Sequence, residues 1–263
     1  MPTGQSVLNP QGPVAHTEAS LIYFSFALMA IVGIVVFTLF AIILVRYRVR
    51  KNRPSHADYR PDWEGNHKLE AIWTIVPIII IGALLVPTVQ DLYKLVQPPK
   101  TGDPVTIDVT SADWKWLFTY PGQGIETVNY VRIPTGVPIQ FQLTSVAPMN
   151  TFWVPELGGM EFSMPGKVLR LWLQASKDGD YIGRSGNFSG RGFVHMVFHV
   201  DSVPMSQFNS WVQTVKKTDP KLTTAEYMRL LQPGWVSDLT YSAYPYAAIE
   251  PVIHDLKNGD MCT

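Results

Sequence analysis

Cysteine is almost missing from this chain: the single one, Cys262, stands next to the C-terminus. One thiol excludes an internal disulfide framework and any metal site built on several thiolates, and it leaves the redox compartment unreadable. Charge is scarce as well. Asp, Glu, Lys and Arg make up 16% of the residues, where ordinary soluble domains carry about 25%. The 21 basic residues are balanced by 21 acidic ones, so no excess of either sign points to nucleic acid or to an acidic substrate. There is no GxxxxGK phosphate loop, no HExxH pair and no serine elbow, which removes the commonest nucleotide-binding, metalloprotease and hydrolase signatures. Residues 1–19 contain no Lys or Arg.

Apolar residues, 46% of the chain, are concentrated in two blocks near the N-terminus. Residues 20–45 read SLIYFSFALMAIVGIVVFTLFAIILV, twenty-six positions without a charge. A helix needs only about 20 residues to cross a hydrocarbon layer ~30 Å thick. The second block, 71–92, opens AIWTIVPIIIIGALLVPTVQ and contains Pro77 and Pro87, which lipid-embedded helices tolerate better than soluble ones. Few soluble helices are apolar on every face for this length, so both blocks are predicted to span a membrane. The first run is too long for a signal peptide and has no basic segment before it, so it reads as a retained helix. The connecting loop, 46–70, carries Arg46, Arg48, Arg50, Lys51, Arg53, Arg60 and Lys68. Against the uncharged-basic N-terminal segment this is a positive-inside signal. It places the loop in the cytoplasm, with 1–19 and everything after the second helix on the outer side; Trp63 and Trp73 suit the interfacial belts. Glu70 stands at the cytoplasmic lip of the second helix. By position it reads as an interfacial carboxylate favoured by the helix N-terminus, with a proton-handling role as the sharper alternative.

A Pro-rich linker, 93–104, leads into a region of period-two patterning. Strand-length runs are predicted at 105–109, 114–120, 130–133, 138–143, 152–154, 168–175 and 192–200, separated by turn clusters such as Pro121–Gly124 and Lys177–Asp180. About seven short strands at this spacing predict a β-sandwich or small barrel over 105–203. The tail, 204–263, has Phe208, Trp211, Val212 and Val215 at helical spacing after Ser206, and Thr223 or Thr224 placed to cap a second short helix. The predicted architecture is a two-helix membrane hairpin, an all-β outer domain and a short helical tail.

Within the outer domain the stretch 181–200, YIGRSGNFSGRGFVHMVFHV, combines a Gly- and Ser-rich loop with an alternating apolar strand. His195 and His199 alternate along that strand and fall on one face; a metal pair is conceivable, but a solvated face accounts for them as well. Trp114, Trp116, Phe118 and Tyr120 alternate too and read as core.

Together, the basic inner loop, LEAIWTIVP opening the second helix, DWKW on an early strand, FWVPELG and the Gly-rich loop resemble subunit II of the haem–copper terminal oxidases, over most of the chain. That resemblance implies a cupredoxin sandwich for 105–203. In the cytochrome c oxidase branch this domain holds two coppers on cysteines, histidines, a methionine and a carbonyl. Laid on this sequence, those ligand positions fall on Asn150, Ser185, Asn187, Ser189, Phe193 and Met196, and only the methionine is kept. The resemblance therefore implies the quinol oxidase branch, with VLNPQGPVA and IETVNY similar to the menaquinol oxidases of Gram-positive bacteria. It implies no cofactor on this chain and no redox catalysis by it. Haems and copper would reside in a partner subunit I, with subunits III and IV, membrane lipid and quinol as further partners, and with neither cytochrome c nor nucleic acid among them. It also implies a bacterial cell membrane and, for Glu70, the entrance of a proton-uptake channel. Two rival readings are a copper-bearing carrier that docks cytochrome c, which needs the missing thiolates, and a stand-alone membrane-tethered β-sandwich.

Overall fold

The computed structural model describes residues 7–48, 65–99, 104–146 and 148–246. Arg50, Lys51, Arg53, Arg60, His56 and Trp63 of the basic loop, linker residues 100–103, and His254 and Cys262 of the tail lie outside the described residues. The chain divides into two units, Ser20–Lys94 and a second that joins the residues up to Ala19 to those from Leu95 onward.

The first unit is helical. Helix α1 covers Pro13–Arg46 and α2 covers His67–Leu95, the latter running through Pro77 and Pro87 without interruption. At 1.5 Å per residue both exceed about 40 Å, enough to cross a bilayer. No described side chain of α2 is buried, and from residue 20 the same holds for α1. Such surface suits lipid or neighbouring helices, because the backbone polar groups are satisfied within each helix.

The second unit is a two-sheet sandwich. Strands β1 (Val105–Ala112), β2 (Lys115–Tyr120), β3 (Ile125–Val128), β5 (Ile139–Ser145), β8 (Leu169–Leu173) and β11 (Leu239–Tyr241) form one sheet in the order β11-β3-β2-β1-β5-β8. Strands β4 (Tyr130–Pro134), β6 (Asn150–Trp153), β7 (Met160–Ser163), β9 (Gly179–Ser185) and β10 (Val197–Val203) form the other, ordered β4-β10-β9-β6-β7. Pairing is antiparallel except for β1 with β5 and β4 with β10. Between the sheets lie Trp116, Phe118, Phe141, Phe152 and Phe198, all essentially without exposure. Phe152 stacks on Phe198 at 4.8 Å between centroids, and Trp116 meets both rings edge-on. Helix α3 (Met205–Thr218) contributes Phe208, Val212 and Val215 to this core. Helix α4 (Thr224–Leu230), capped by Thr223, covers the outer face of the first sheet, where its Tyr227 and Leu230 cluster with Leu117, Val128 and Tyr241 of the sheet. The N-terminal residues join this unit through backbone bonds from Gln11 N to Glu156 O (2.8 Å), Ala15 N to Leu157 O (3.2 Å) and Ser176 N to Gln11 O (2.8 Å).

Several sequence expectations need correction. The run 192–200 is not one strand: a 3-10 turn occupies Phe193–His195 and β10 begins at Val197. His195 and His199 are thus on different elements and share no strand face. Trp114 stands outside β2, with φ of 80°, and reverses the chain between β1 and β2. Gly183 and Ser185 belong to β9, so the loop proper starts at Gly186. Helix α3 is preceded by Pro204, and Ser206 lies inside it rather than capping it.

Gly183 is required by packing, not by a turn. A Cβ there would sit 2.0 Å from Cζ of Phe198. Gly183→Ala should therefore push the Phe198 ring off Phe152 and cost about 1–3 kcal/mol or more, read as a lowered denaturation midpoint of the purified chain.

Candidate functional site

The ends of five strands converge where the resemblance places the copper ligands. Asn150 opens β6 with no solvent exposure, and Ser185 closes β9 at 4%. The two are held near each other because β6 pairs with β9 through Phe152 and Ser185. Ser185 Oγ lies 3.3 Å from both Asn150 Oδ1 and the Asn187 carbonyl, and it accepts the Thr151 N–H at 3.4 Å. The Asn150 amide donates to the Pro148 carbonyl at 3.0 Å and to Ser111 Oγ at 3.4 Å. Ser111 in turn bonds Ser163 Oγ at 2.9 Å, and Ser163 donates to the Thr144 carbonyl. Asn150, Ser185 and Asn187 thus belong to one buried chain of neutral hydrogen bonds.

Ser189 and Met196 form a second group, with the serine hydroxyl 3.4 Å from the buried thioether. The Ser189 carbonyl accepts the indole N–H of Trp114 at 3.0 Å. Gly190 (φ 112°) and Gly192 lie against the same indole, where a Cβ on Gly192 would come within 2.2 Å of the ring. The positive φ of Trp114, rare for a bulky residue, aims the indole at this loop. The Phe193 side chain turns away and packs against Phe188, centroids 5.7 Å apart. The donor atoms at the six positions are therefore two hydroxyls, an amide, a carbonyl and one thioether. None carries a charge, and the phenyl ring has nothing to donate.

The two histidines have separate partners. His195 stacks on Trp235 at 5.3 Å, while His199 Nδ1 lies 3.0 Å from both carboxylate oxygens of Asp180. Tyr130, Arg132, Asp201 and Asp238 line the same cleft as His199. Arg132 pairs with Asp201 at 2.6 Å and lies 5.2 Å over Trp211. Among the described residues no three His, Cys, Asp or Glu are grouped so as to hold a metal ion.

In the helical unit, Glu70 lies in the first turn of α2. Asn66 caps that turn, its Oδ1 accepting from the amides of Lys68 (3.0 Å) and Leu69 (3.3 Å). His67 Nδ1 meets Glu70 Oε2 at 3.0 Å, with the imidazole almost fully exposed and the glutamate about half exposed. Sequence reasoning missed His67 as a partner of Glu70. The available signal was the asparagine ahead of an apolar run, which starts the helix at His67 and brings the two side chains within one turn.

A family model described as cytochrome c oxidase subunit II, transmembrane domain, matches residues 4–90, and one described as cytochrome c oxidase subunit II, periplasmic domain, matches 105–203. The chain is 52% identical over 250 residues to the quinol oxidase subunit 2 of Bacillus cereus, covering 94% of this chain and 85% of that one. With the quinol oxidase subunit 2 of Bacillus subtilis it shares 45% over 241 residues, covering 90% and 75%. A probable quinol oxidase subunit 2 of Staphylococcus haemolyticus is 38% identical over 247 residues, covering 93% and 64%. Among solved structures, the periplasmic domain of subunit II of cytochrome oxidase from Bradyrhizobium japonicum is 26% identical, with a TM-score of 0.43 over 46% of this chain and 98% of that one.

Because Asn150 and Ser185 satisfy each other, their substitutions should not add. Asn150→Ala is expected to cost about 1–3 kcal/mol by leaving buried groups unpaired, and Ser185→Ala less. A double-mutant cycle on denaturation midpoints should return a coupling of about 0.5 kcal/mol or more.

Proposed function

Since the chain belongs to the subunit II family of the haem–copper quinol oxidases, and is a membrane-embedded terminal oxidase subunit partnered by subunit I, we propose that it works without a copper centre of its own. The complex then takes its electrons from membrane quinol. The observation that carries this reading is the donor set at the six ligand positions. A copper pair calls for soft, anionic thiolates and imidazoles. Serine hydroxyls stay protonated at neutral pH and are hard, weak ligands. The hydroxyl and amide at Ser185 and Asn150 are already committed to one another, and Phe193 faces Phe188. The residues present do not fit the metal pair, so no electron-transfer step is routed through this domain.

On this reading the domain covers the outer face of subunit I and supports its assembly, with subunits III and IV completing the complex. Haems, copper and oxygen chemistry stay in subunit I. The basic residues around 46–68 favour a cytoplasmic loop, which puts the sandwich outside and Glu70 at the inner lip of α2. There Glu70 has the geometry of a proton-collecting group. Its carboxylate is half exposed, sits at the positive end of a helix, and touches an imidazole able to pass a proton on. The complex is read as proton-pumping, with menaquinol as the donor suggested by the likeness to the Gram-positive enzymes.

Metal analysis of this chain, separated from its purified complex, should find less than one copper per chain; two stoichiometric coppers would overturn the reading. Glu70→Gln should slow quinol-driven oxygen uptake severalfold while quinol affinity stays near wild type, and His67→Ala should have a smaller effect in the same direction. Unchanged turnover in Glu70→Gln would remove the proton role and leave the quinol reading standing.

A further inference from the structure

Glu126 is the one carboxylate of β3 and has no exposure to solvent. Its Oε2 receives a single long hydrogen bond, from Thr119 Oγ1 at 3.4 Å, and its Oε1 has no partner among the described residues. The strand register explains where it points. Glu126 lies opposite Thr119 on β2 and opposite Tyr241 on the edge strand β11, two positions from Val128, on the face covered by α4. The covering segment, residues 222–243, also meets His195 through Trp235 and the His199 cleft through Asp238, and Lys115 ties it down. The buried Lys115 ammonium donates to the carbonyls of Leu230 (2.9 Å), Gln232 (2.7 Å) and Asp113 (3.2 Å), gathering the end of α4 against β2. Asn129 Nδ2 holds the Val236 carbonyl at 2.8 Å, and Gly234 N donates to the Asp113 carbonyl at 3.0 Å.

We infer that residues 222–243 form a proton-dependent strap: it lies closed over the outer face and along the β3 edge of the sheet while the Glu126 carboxyl is protonated, and losing that proton loosens it. A carboxylate in this position would carry its charge among Leu117, Val128, Tyr227 and Tyr241 with one weak hydrogen bond, a large desolvation cost. Opening the strap returns the charge to water, so ionisation and opening favour each other.

Three elements bring titratable or charged groups toward Glu126, among them Lys115, which burial lowers from the usual lysine range. On β2 its neighbour is Thr119, with Lys115 further along the same face. From α4 come Tyr227, Glu226 and Arg229, the last two paired at 3.1 Å. From β11 comes Tyr241, whose hydroxyl donates to Glu226 at 3.1 Å. Burial pushes Tyr227 upward, with the Glu126 charge adding to it, and pushes Tyr241 up to about 12, so both phenols stay neutral. Burial likewise raises Glu126 from 4.5 to about 8, and the Thr119 hydrogen bond offsets part of that rise.

The sign follows directly. Between pH 4.5 and about 8 the closed strap holds a proton that the open one has lost. The open population should therefore grow tenfold per pH unit across that window and level off above it. The strap itself depends on the fold alone. Its physiological sense rests on the outward orientation proposed above, where the side receiving protons would keep it shut.

Hydrogen–deuterium exchange on the full chain in its purified complex, corrected for intrinsic base catalysis, tests this through the amides of α4 and β11. Wild type should lose protection progressively from pH 5 to 8 and then plateau, and Glu126→Gln should flatten the profile. A flat wild-type profile, or a slope that survives in Glu126→Gln, would overturn the inference. If Glu126→Gln fails to assemble, Thr119→Val serves instead. Removing the one bond that favours the ionised form should move the plateau to higher pH, and an unmoved plateau would equally overturn it. Because exchange does not depend on electron donor or copper content, this test fails or succeeds separately from the quinol reading.

Discussion

A primary amide sealed from solvent at Asn150 sets the terms for one whole end of the sandwich. Each hydrogen bond it leaves unmade costs about 1–3 kcal/mol, so the strand ends around it have to supply donors and acceptors. They do so from both sheets. Ser111 ends β1 and Thr144 lies at the end of β5, while Asn150, Ser163 and Ser185 sit at the ends of β6, β7 and β9. The aromatic core formed by Trp116, Phe152 and Phe198 stops one residue layer away. Apolar packing thus joins the sheets through the middle of the domain, and a chain of neutral hydrogen bonds closes it at this end. Cohesion at this end comes from amide and hydroxyl pairing, provided every member is satisfied.

The parts that were legible in the sequence are those governed by a single strong constraint. Lipid demands long helices with few charges, and residues 20–45 and 71–92 meet that demand, with Asp91 the one charged residue, near the end of the second. Half-buried strands demand alternation, and Ile139, Phe141 and Val131 keep to it. The harder elements are those where two constraints compete. Gly183 reads as a turn residue, yet it lies mid-strand because the Phe198 ring fills the space of its side chain. Trp114 reads as one more core aromatic, yet its left-handed backbone moves it out of β2 and onto the 189–192 loop. Strand β3 was hidden because a glutamate interrupts its apolar pattern; that glutamate is buried only because the tail, distant in sequence, lies over it. At the site, the six ligand-equivalent positions are what the family resemblance implies. Their sorting into an Asn150–Ser185–Asn187 group and a Ser189–Met196 pair needed three-dimensional register.

Buried polarity is handled differently in different parts of this domain. At the Asn150 end the members are hydroxyls, amides and carbonyls, none of which titrates in the physiological range. Under the tail, Lys115 keeps its buried ammonium in contact with three carbonyls, whereas Glu126 has one weak bond and relieves its burial by holding a proton. Burial lowers the lysine, but three carbonyl acceptors favour its charged form, while a carboxyl without donors has no such support. The contrast separates a closure insensitive to pH, at the Asn150 end, from a cover whose hold varies with pH on the outer face of the first sheet. Protonation at Glu126 is one chemical variable through which the surroundings of the domain reach its fold.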